Sequence, residues 1–195
     1  MDGNTRKSVF ISGSAYEYGS FGDEGRDFIR KLSKTLLKNG FTIISGFGYG
    51  VGNYVVEGAL EEMYLGQDEQ MADRLKVYPF PAHAPLVGRI QECYRKDMIA
   101  RAETAIFLFG NKLEDISVRE ADGMIREFEI ARSRKARLIA VGASGYVSAK
   151  LWRDVVNSYD DYFETRENFG LYERLGDTAT PPQELIDTIV ELAAS

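Results

Sequence analysis

The chain has one cysteine, Cys93, and one histidine, His83. A lone thiol forms no internal disulfide and favours an intracellular, cytoplasmic setting. One Cys and one His also fall short of the four ligands that a structural zinc ion takes, so no metal is expected. Long apolar runs are missing: nothing approaches the roughly 18 consecutive apolar residues of a membrane span. The opening MDGNTRKS has no apolar stretch to serve as a secretory signal. Positive charge is scarce as well, with 24 Lys and Arg against 30 Asp and Glu and a net charge of −6. That balance argues against a general nucleic-acid binder, which presents a basic face. It does not exclude an anionic small ligand, because the field inside a cleft is set by its nearest groups.

What is present suits one globular domain of 195 residues, 44% hydrophobic and 28% charged. Short apolar runs alternate with segments of helical period. Ser8–Ser12, Phe41–Ser45, Leu75–Tyr78, Thr104–Phe109 and Arg137–Val141 read as strands. Glu24–Asn39, about Val51–Tyr64, Gly88–Arg101, Ala121–Arg134, Ser144–Asn157 and Pro182–Ala194 read as helices, with Gly40 placed to end the first. Strands that are apolar nearly throughout and separated by helices predict a parallel sheet covered on both faces. The expected fold is α/β: a Rossmann-like, doubly wound domain. The least regular stretch, Ser158–Thr180, carries Tyr159, Tyr162, Phe163 and Tyr172 among acidic residues. It reads as a surface segment packed by its aromatics, with a ligand lid as the alternative.

In such sheets ligands bind beyond the carboxyl ends of the strands, near the point where strand order reverses. The loops that matter are therefore Gly13-Ser14-Ala15, the run Gly46-Phe47-Gly48-Tyr49-Gly50-Val51-Gly52, and Gly110-Asn111-Lys112 leading to Asp122-Gly123-Met124. GFGYGVGN stands between a strand and a helix, as a phosphate-cradling turn does, although its G-x-G-x-G-x-G spacing is not the dinucleotide fingerprint and also fits a purely structural turn. Phe47 and Tyr49 would stack on a nucleobase or fill the underside of the loop. Arg95 belongs to a helix and Lys112 follows the next strand, so both reach one edge of the sheet. They either flank an anionic group or form a solvated basic patch. Glu127 and Glu129 point about 200° apart on their helix, so only one faces a pocket. Glu127 would accept sugar hydroxyls, act as a general acid or base, or favour the helix dipole.

Taken in order, VFISGSAYEYG, FTIISGFGYGVG, YRKDMIARAETAIFLFG and GMIREFEIA resemble the LOG/DprA-like SLOG superfamily over roughly Ser8–Val141. Its LOG enzymes show a strand ending in GS, a GG-x-x-GLMG turn, an RKxxM helix, a strand and PGGxGTxxEE. They hydrolyse the N-glycosidic bond of cytokinin nucleotides with the Arg of the RK motif and the Glu of GTxxE, which fall here on Arg95 and Glu127. Two departures stand out. Gly110-Asn111-Lys112 and an inserted loop, Leu113–Ala121, replace the tight PGG, and GFGYGVGN replaces the GG-x-x-GLMG turn. Both suggest a pocket reshaped for a larger, doubly anionic nucleotide.

The chain is more similar still to the C-terminal SLOG domain of effectors of the bacterial Thoeris anti-phage system. There a sirtuin-type NADase domain precedes the SLOG domain, whose pocket binds a cyclic ADP-ribose isomer made from NAD by a TIR-domain partner, and this activates NAD+ hydrolysis. The family's ligand-binding Ser, Arg, Lys and Glu fall on Ser14, Arg95, Lys112 and Glu127. The resemblance implies a single sensing domain over residues 1–195, MDGNTRKS being a junction. It implies no tightly bound cofactor, no catalytic residue within the domain, and SLOG–SLOG homodimers inside a larger oligomer. The expected ligand-binding set is Gly13, Ser14, Gly46, Phe47, Gly48, Tyr49, Gly50, Arg95, Lys112, Gly123, Met124 and Glu127. The alternative is a LOG-type phosphoribohydrolase using Arg95 and Glu127. A DprA-like binder of single-stranded DNA is disfavoured by the acidic balance.

Overall fold

A computed structural model describes residues 7–66, 72–80 and 87–195. The opening residues 1–6, and the part of the Pro-rich stretch over 81–86 that includes His83, lie outside the described residues. The chain runs β1 (Ser8–Ser14), α1 (Gly25–Lys38), β2 (Thr42–Ser45), α2 (Gly52–Leu65), β3 (Leu75–Val77), α3 (Val87–Ile99) and β4 (Thr104–Phe109). It continues through β5 (Asn111–Glu114), β6 (Ser117–Glu120), α4 (Asp122–Ser133), β7 (Arg137–Ala140), α5 (Tyr146–Asn157), α6 (Tyr159–Tyr162), α7 (Phe169–Arg174) and α8 (Pro182–Ala194).

Five strands form one parallel sheet in the order β3-β2-β1-β4-β7. Val9, Phe10, Ile43, Ile44 and Ala105 through Phe109 are buried on whichever face they point to, which is why these runs carry no polar alternation. Helices cover both faces, the Rossmann-like arrangement: α1 packs with α2 and α8, and α4 packs with α3 and α5. Strand order moves one way from β1 to β3, then the chain returns past β1 to start β4. The reversal point therefore lies between the carboxyl ends of β1 and β4.

Local sequence explains the element ends. In α1 the stripe Phe28, Ile29, Leu32, Leu36 and Leu37 is buried, each side chain contributing roughly 1.5–3 kcal/mol. Gly40, at φ 87°, lets the Gly40 and Phe41 amides return to the Leu37 and Leu36 carbonyls and stop the helix. In α8, Leu185, Ile186, Ile189 and Leu192 dock, and Arg137 donates to the Leu192 carbonyl at 2.7 Å. Among the described residues no helix is long and apolar enough to cross a membrane.

One segment differs from the sequence expectation and a second, Ser158–Thr180, fits it: most of its side chains are at the surface and its aromatics pack it. Leu113–Ala121 is no plain loop: Asn111–Glu114 and Ser117–Glu120 pair as an antiparallel hairpin that turns at Asp115, φ 55°. Its residues NKLE and SVRE are mostly polar because the ribbon stands off the core, so the strand signal is weak. Ser158–Thr180 holds the short helices α6 and α7, and Tyr159 and Tyr172 are fully buried against Phe163 and Phe169. These buried aromatics pack it onto the core.

Candidate ligand-binding site

A cavity of about 250 Å³ opens at the reversal point, beyond the ends of β1 and β2 and between α3 and the start of α4. Its lining includes nine residues of the sequence-derived set: Gly13 and Ser14 from β1, Gly46 and Gly48 from the glycine-rich turn, Arg95 from α3, Lys112 from β5, and Gly123, Met124 and Glu127 from α4. Phe47, Tyr49 and Gly50 do not line it. Phe47 and Tyr49 are 40% and 70% exposed. A larger cavity, about 810 Å³, lies at the opposite, amino-terminal end of the strands. It mixes Arg132, Lys135 and Arg137 with Asp160, Asp161 and Glu164, and Arg137 is already spent on the end of α8. Convergent donors and a strand reversal favour the smaller one as the site.

The glycine-rich turn is an interlock of backbone on backbone. A Cβ on Gly48 would stand 2.0 Å from the Gly13 carbonyl oxygen, and one on Gly50, at φ 68°, 1.8 Å from that of Ala15. The Ala15 amide donates to the Tyr49 carbonyl at 2.7 Å. Only glycine permits this approach, and it seats the turn against the end of β1. Of the two meanings open to GFGYGVG, Gly50 serves the structural one, whereas Gly46 and Gly48 also face the cavity.

Asn111 has an equally structural role. It is fully buried. Its Oδ1 accepts from the Tyr16 and Glu17 amides at 2.9 and 3.1 Å, while Nδ2 donates to the Glu17 carbonyl at 2.8 Å. Phe109 and Gly110 both take positive φ, and the Gly110 amide donates to the Ser14 carbonyl at 2.9 Å. Gly110 leaves no room for a Cβ, which would meet Val147 and the Met124 sulfur at 2.6 and 2.7 Å. This sharp exit from β4 aims the hairpin, and with it Lys112, at the cavity.

Inside the cavity the charged groups are arranged around Glu127. Ser12 Oγ donates to Glu127 Oε2 at 2.6 Å, and Arg95 Nε approaches Glu127 Oε1 at 3.4 Å. Both side chains are largely buried, Arg95 17% and Glu127 12% exposed. Burial pushes the Glu127 carboxyl above the usual glutamate value, against the opposing pull of the Ser12 hydrogen bond and the Arg95 charge. Glu129, the other candidate on this helix, points outward to Arg126 at 2.7 Å. Arg95 Nη2 lies where a Cβ on Gly123 would come within 3.0 Å, so glycine at the start of α4 admits the guanidinium. Its other neighbour is the Phe80 ring, with the guanidinium carbon 5.0 Å from the centroid.

Three further features complete the site. Ser14 Oγ is buried on the lining without a hydrogen-bond partner. Lys112 Nζ stands 3.9 Å from both Glu114 and Asp122, at the outer limit of an ion pair. Helix α4 begins at the cavity with no side-chain cap on Ala121, so its amino end adds partial positive charge. Ser12, Phe80 and Asp122 also line the cavity and were not in the sequence-derived set. Ser12 carries no sequence signal apart from being a polar residue inside an apolar strand. Phe80 follows the third strand at the edge of the Pro-rich stretch, where carboxyl-end position alone is a cue. Together the groups offer two cations, a hydroxyl and amide donors for an anion, and one buried carboxyl beside them.

The model of the Sir2- and TIR-associating SLOG family (STALD) matches residues 2–195. The chain belongs to this SLOG family. Curated relatives include the NAD(+) hydrolase ThsA of Bacillus cereus (strain MSX-D12), 40% identical over 189 residues, covering 95% of this chain and 39% of the relative. The NAD(+) hydrolases ThsA of Cytobacillus dafuensis and Acinetobacter baumannii (strain 532279) are each 36% identical, covering 96% and 94% of this chain and 39% and 40% of theirs. This SLOG chain thus spans about two fifths of the length of the curated relatives it matches. Among solved structures, the DNA processing protein A of Helicobacter pylori aligns with a TM-score of 0.51 at 14% identity, over 95% of this chain and 81% of that one. The structural-genomics protein TM1055 aligns with a TM-score of 0.51 at 19% identity, over 75% and 81%. These two likenesses concern the fold alone.

Proposed function

We propose that this SLOG domain is a sensor: its cavity binds a cyclic ADP-ribose isomer, made from NAD by a TIR-domain partner, and binding activates an attached sirtuin-type NAD+ hydrolase in bacterial anti-phage defence. The domain itself is regulatory, works in the cytoplasm and pairs with a second SLOG copy in an oligomer. The observation that carries the reading is the state of Glu127. Both of its carboxylate oxygens are already engaged, Oε2 by Ser12 and Oε1 by Arg95, which supports a group that positions a ligand over one that attacks or protonates it. Around it Arg95, Lys112, the unpartnered Ser14 hydroxyl and the α4 amino end converge as anion donors. The ThsA relatives, named as NAD(+) hydrolases, support the partner domain.

Calorimetry with the cyclic ADP-ribose isomers tests this. One charged hydrogen bond is worth about 1.5–3 kcal/mol, so Arg95→Ala or Lys112→Ala should weaken binding by about 10- to 150-fold. Undiminished affinity in both variants sinks the assignment. A second reading, a LOG-type nucleoside 5′-monophosphate phosphoribohydrolase, draws on the raised pKa of Glu127, which suits a general acid beside Arg95. Release of free base from AMP or a cytokinin nucleotide by the purified chain would establish it in place of the sensor.

A further inference from the structure

We propose that Phe80 is the base-recognition surface of this cavity, so that its ligands are nucleotides and not bare sugar phosphates. The inference rests on the nucleotide reading given above and adds to it the part of the site that reads the base.

Two aromatic side chains line the cavity among the described residues, Phe10 and Phe80. Phe10 is fully buried inside the sheet, whereas Phe80 is half-buried and lines the cavity with the Arg95 guanidinium over its ring. Phe80 is also held in place. Tyr94 meets it edge-to-face at 5.6 Å and 79°, and Tyr94 is itself braced by Tyr78 at 5.7 Å. On another side the ring rests against Gly46, where a Cβ would come within 3.1 Å of its Cε2. Glycine at position 46 therefore makes space for an aromatic wall, a role distinct from cradling phosphate. A ring fixed before the ligand arrives costs little further ordering on binding.

The position of Arg95 links this wall to the anion donors. Its guanidinium stands 5.0 Å from the Phe80 centroid while Nη2 lies against Gly123 at the α4 amino end. A ligand with its base on the aromatic side and its phosphate between Arg95 and Lys112 would use one continuous surface. Base–aromatic stacking tolerates different bases because every base has a π-face, so Phe80 selects for the presence of a base, and hydrogen-bonding groups select which one.

Calorimetry on the full chain with two probes tests the assignment: a cyclic ADP-ribose isomer, and ribose 5-phosphate as the ligand without a base. Phe80→Leu keeps apolar volume but removes the ring, and should weaken the cyclic isomer by about 5- to 150-fold. Ribose 5-phosphate affinity should stay within about twofold, and Phe80→Tyr should restore binding of the cyclic isomer. Equal losses for both probes, or no loss for either, overturn the role of Phe80 while leaving the sensor reading intact. A wild-type chain that binds neither probe overturns the sensor reading and this proposal with it. A Phe80→Leu chain that melts far below the wild type is replaced in the comparison by Phe80→Tyr and Phe80→Trp, both of which must keep the preference for the cyclic isomer.

Discussion

Two arginine–glutamate pairs join the same two helices, α3 and α4, and they behave in opposite ways. On the outer side Arg126 reaches Glu92 at 2.6 Å, with the side chains 46% and 30% exposed. On the cavity side Arg95 reaches Glu127 at only 3.4 Å, both largely buried. The outer glutamate, hydrogen-bonded by Arg126, is held down to a pKa of about 2. The inner one is pushed up by burial despite its cation. The same two residue types thus give a settled staple in water and an unsettled pair indoors. Desolvation of the inner carboxylate outweighs the Ser12 hydrogen bond and one long arginine contact, while several arginine and lysine contacts hold the outer one. An unsettled pair beside a cavity is one that an incoming anion can rearrange, since Arg95 has more to gain from a phosphate than from this Glu127.

Deleting each cation in turn should break the symmetry most visibly. Arg95→Ala should cost about 10- to 150-fold in affinity for the cyclic nucleotide, while Arg126→Ala leaves calorimetric affinity unchanged. Equal losses would show that the pairs act only by holding the helices together.

Next in size is the pH response of the inner carboxyl. A raised folded pKa means that the stability Glu127 contributes is present below its unfolded value near 4.5 and is lost as pH rises through the folded value. Glu127→Gln does not titrate, so its melting temperature relative to that of the wild type should be higher at pH 7 than at pH 4. A relative melting temperature that rises on acidification would contradict the assigned direction.

The smallest effect belongs to the outer pair. Glu92 has a lowered folded pKa, so its contribution is present above about pH 4.5 and fades as pH falls toward 2. Glu92→Gln should therefore lower the neutral-pH melting temperature only slightly, and added salt should erase the difference. A salt-resistant loss would show that this pair is not held by solvent-screened charge.

Much of the fold was legible because buried parallel strands must be apolar throughout, as Thr104–Phe109 and Phe41–Ser45 are. Arg95 and Glu127 were legible through motif order, and the structure brings them to one cavity. What sequence could not rank was the loop chemistry. Phe47 and Tyr49 drew attention because they sit among glycines, yet both are exposed and neither lines the cavity. Phe80 and Ser12 reach the cavity through tertiary placement, which the sequence marks only by a position after the third strand and by a polar residue in an apolar strand. Asn111, read as part of a ligand loop, is a clamp, and only its three hydrogen bonds across the fold reveal that.

That clamp has a consequence for how this surface can change over time. Asn111 anchors the root of the hairpin to the loop after β1, while the exposed tip at Ile116 is free of the core. Changes in length or sequence at the tip leave the Asn111 hydrogen bonds at the root unchanged. The fold has in effect placed a growing point next to its recognition surface, so that new contacts can be tried at the rim while the inherited interior keeps working.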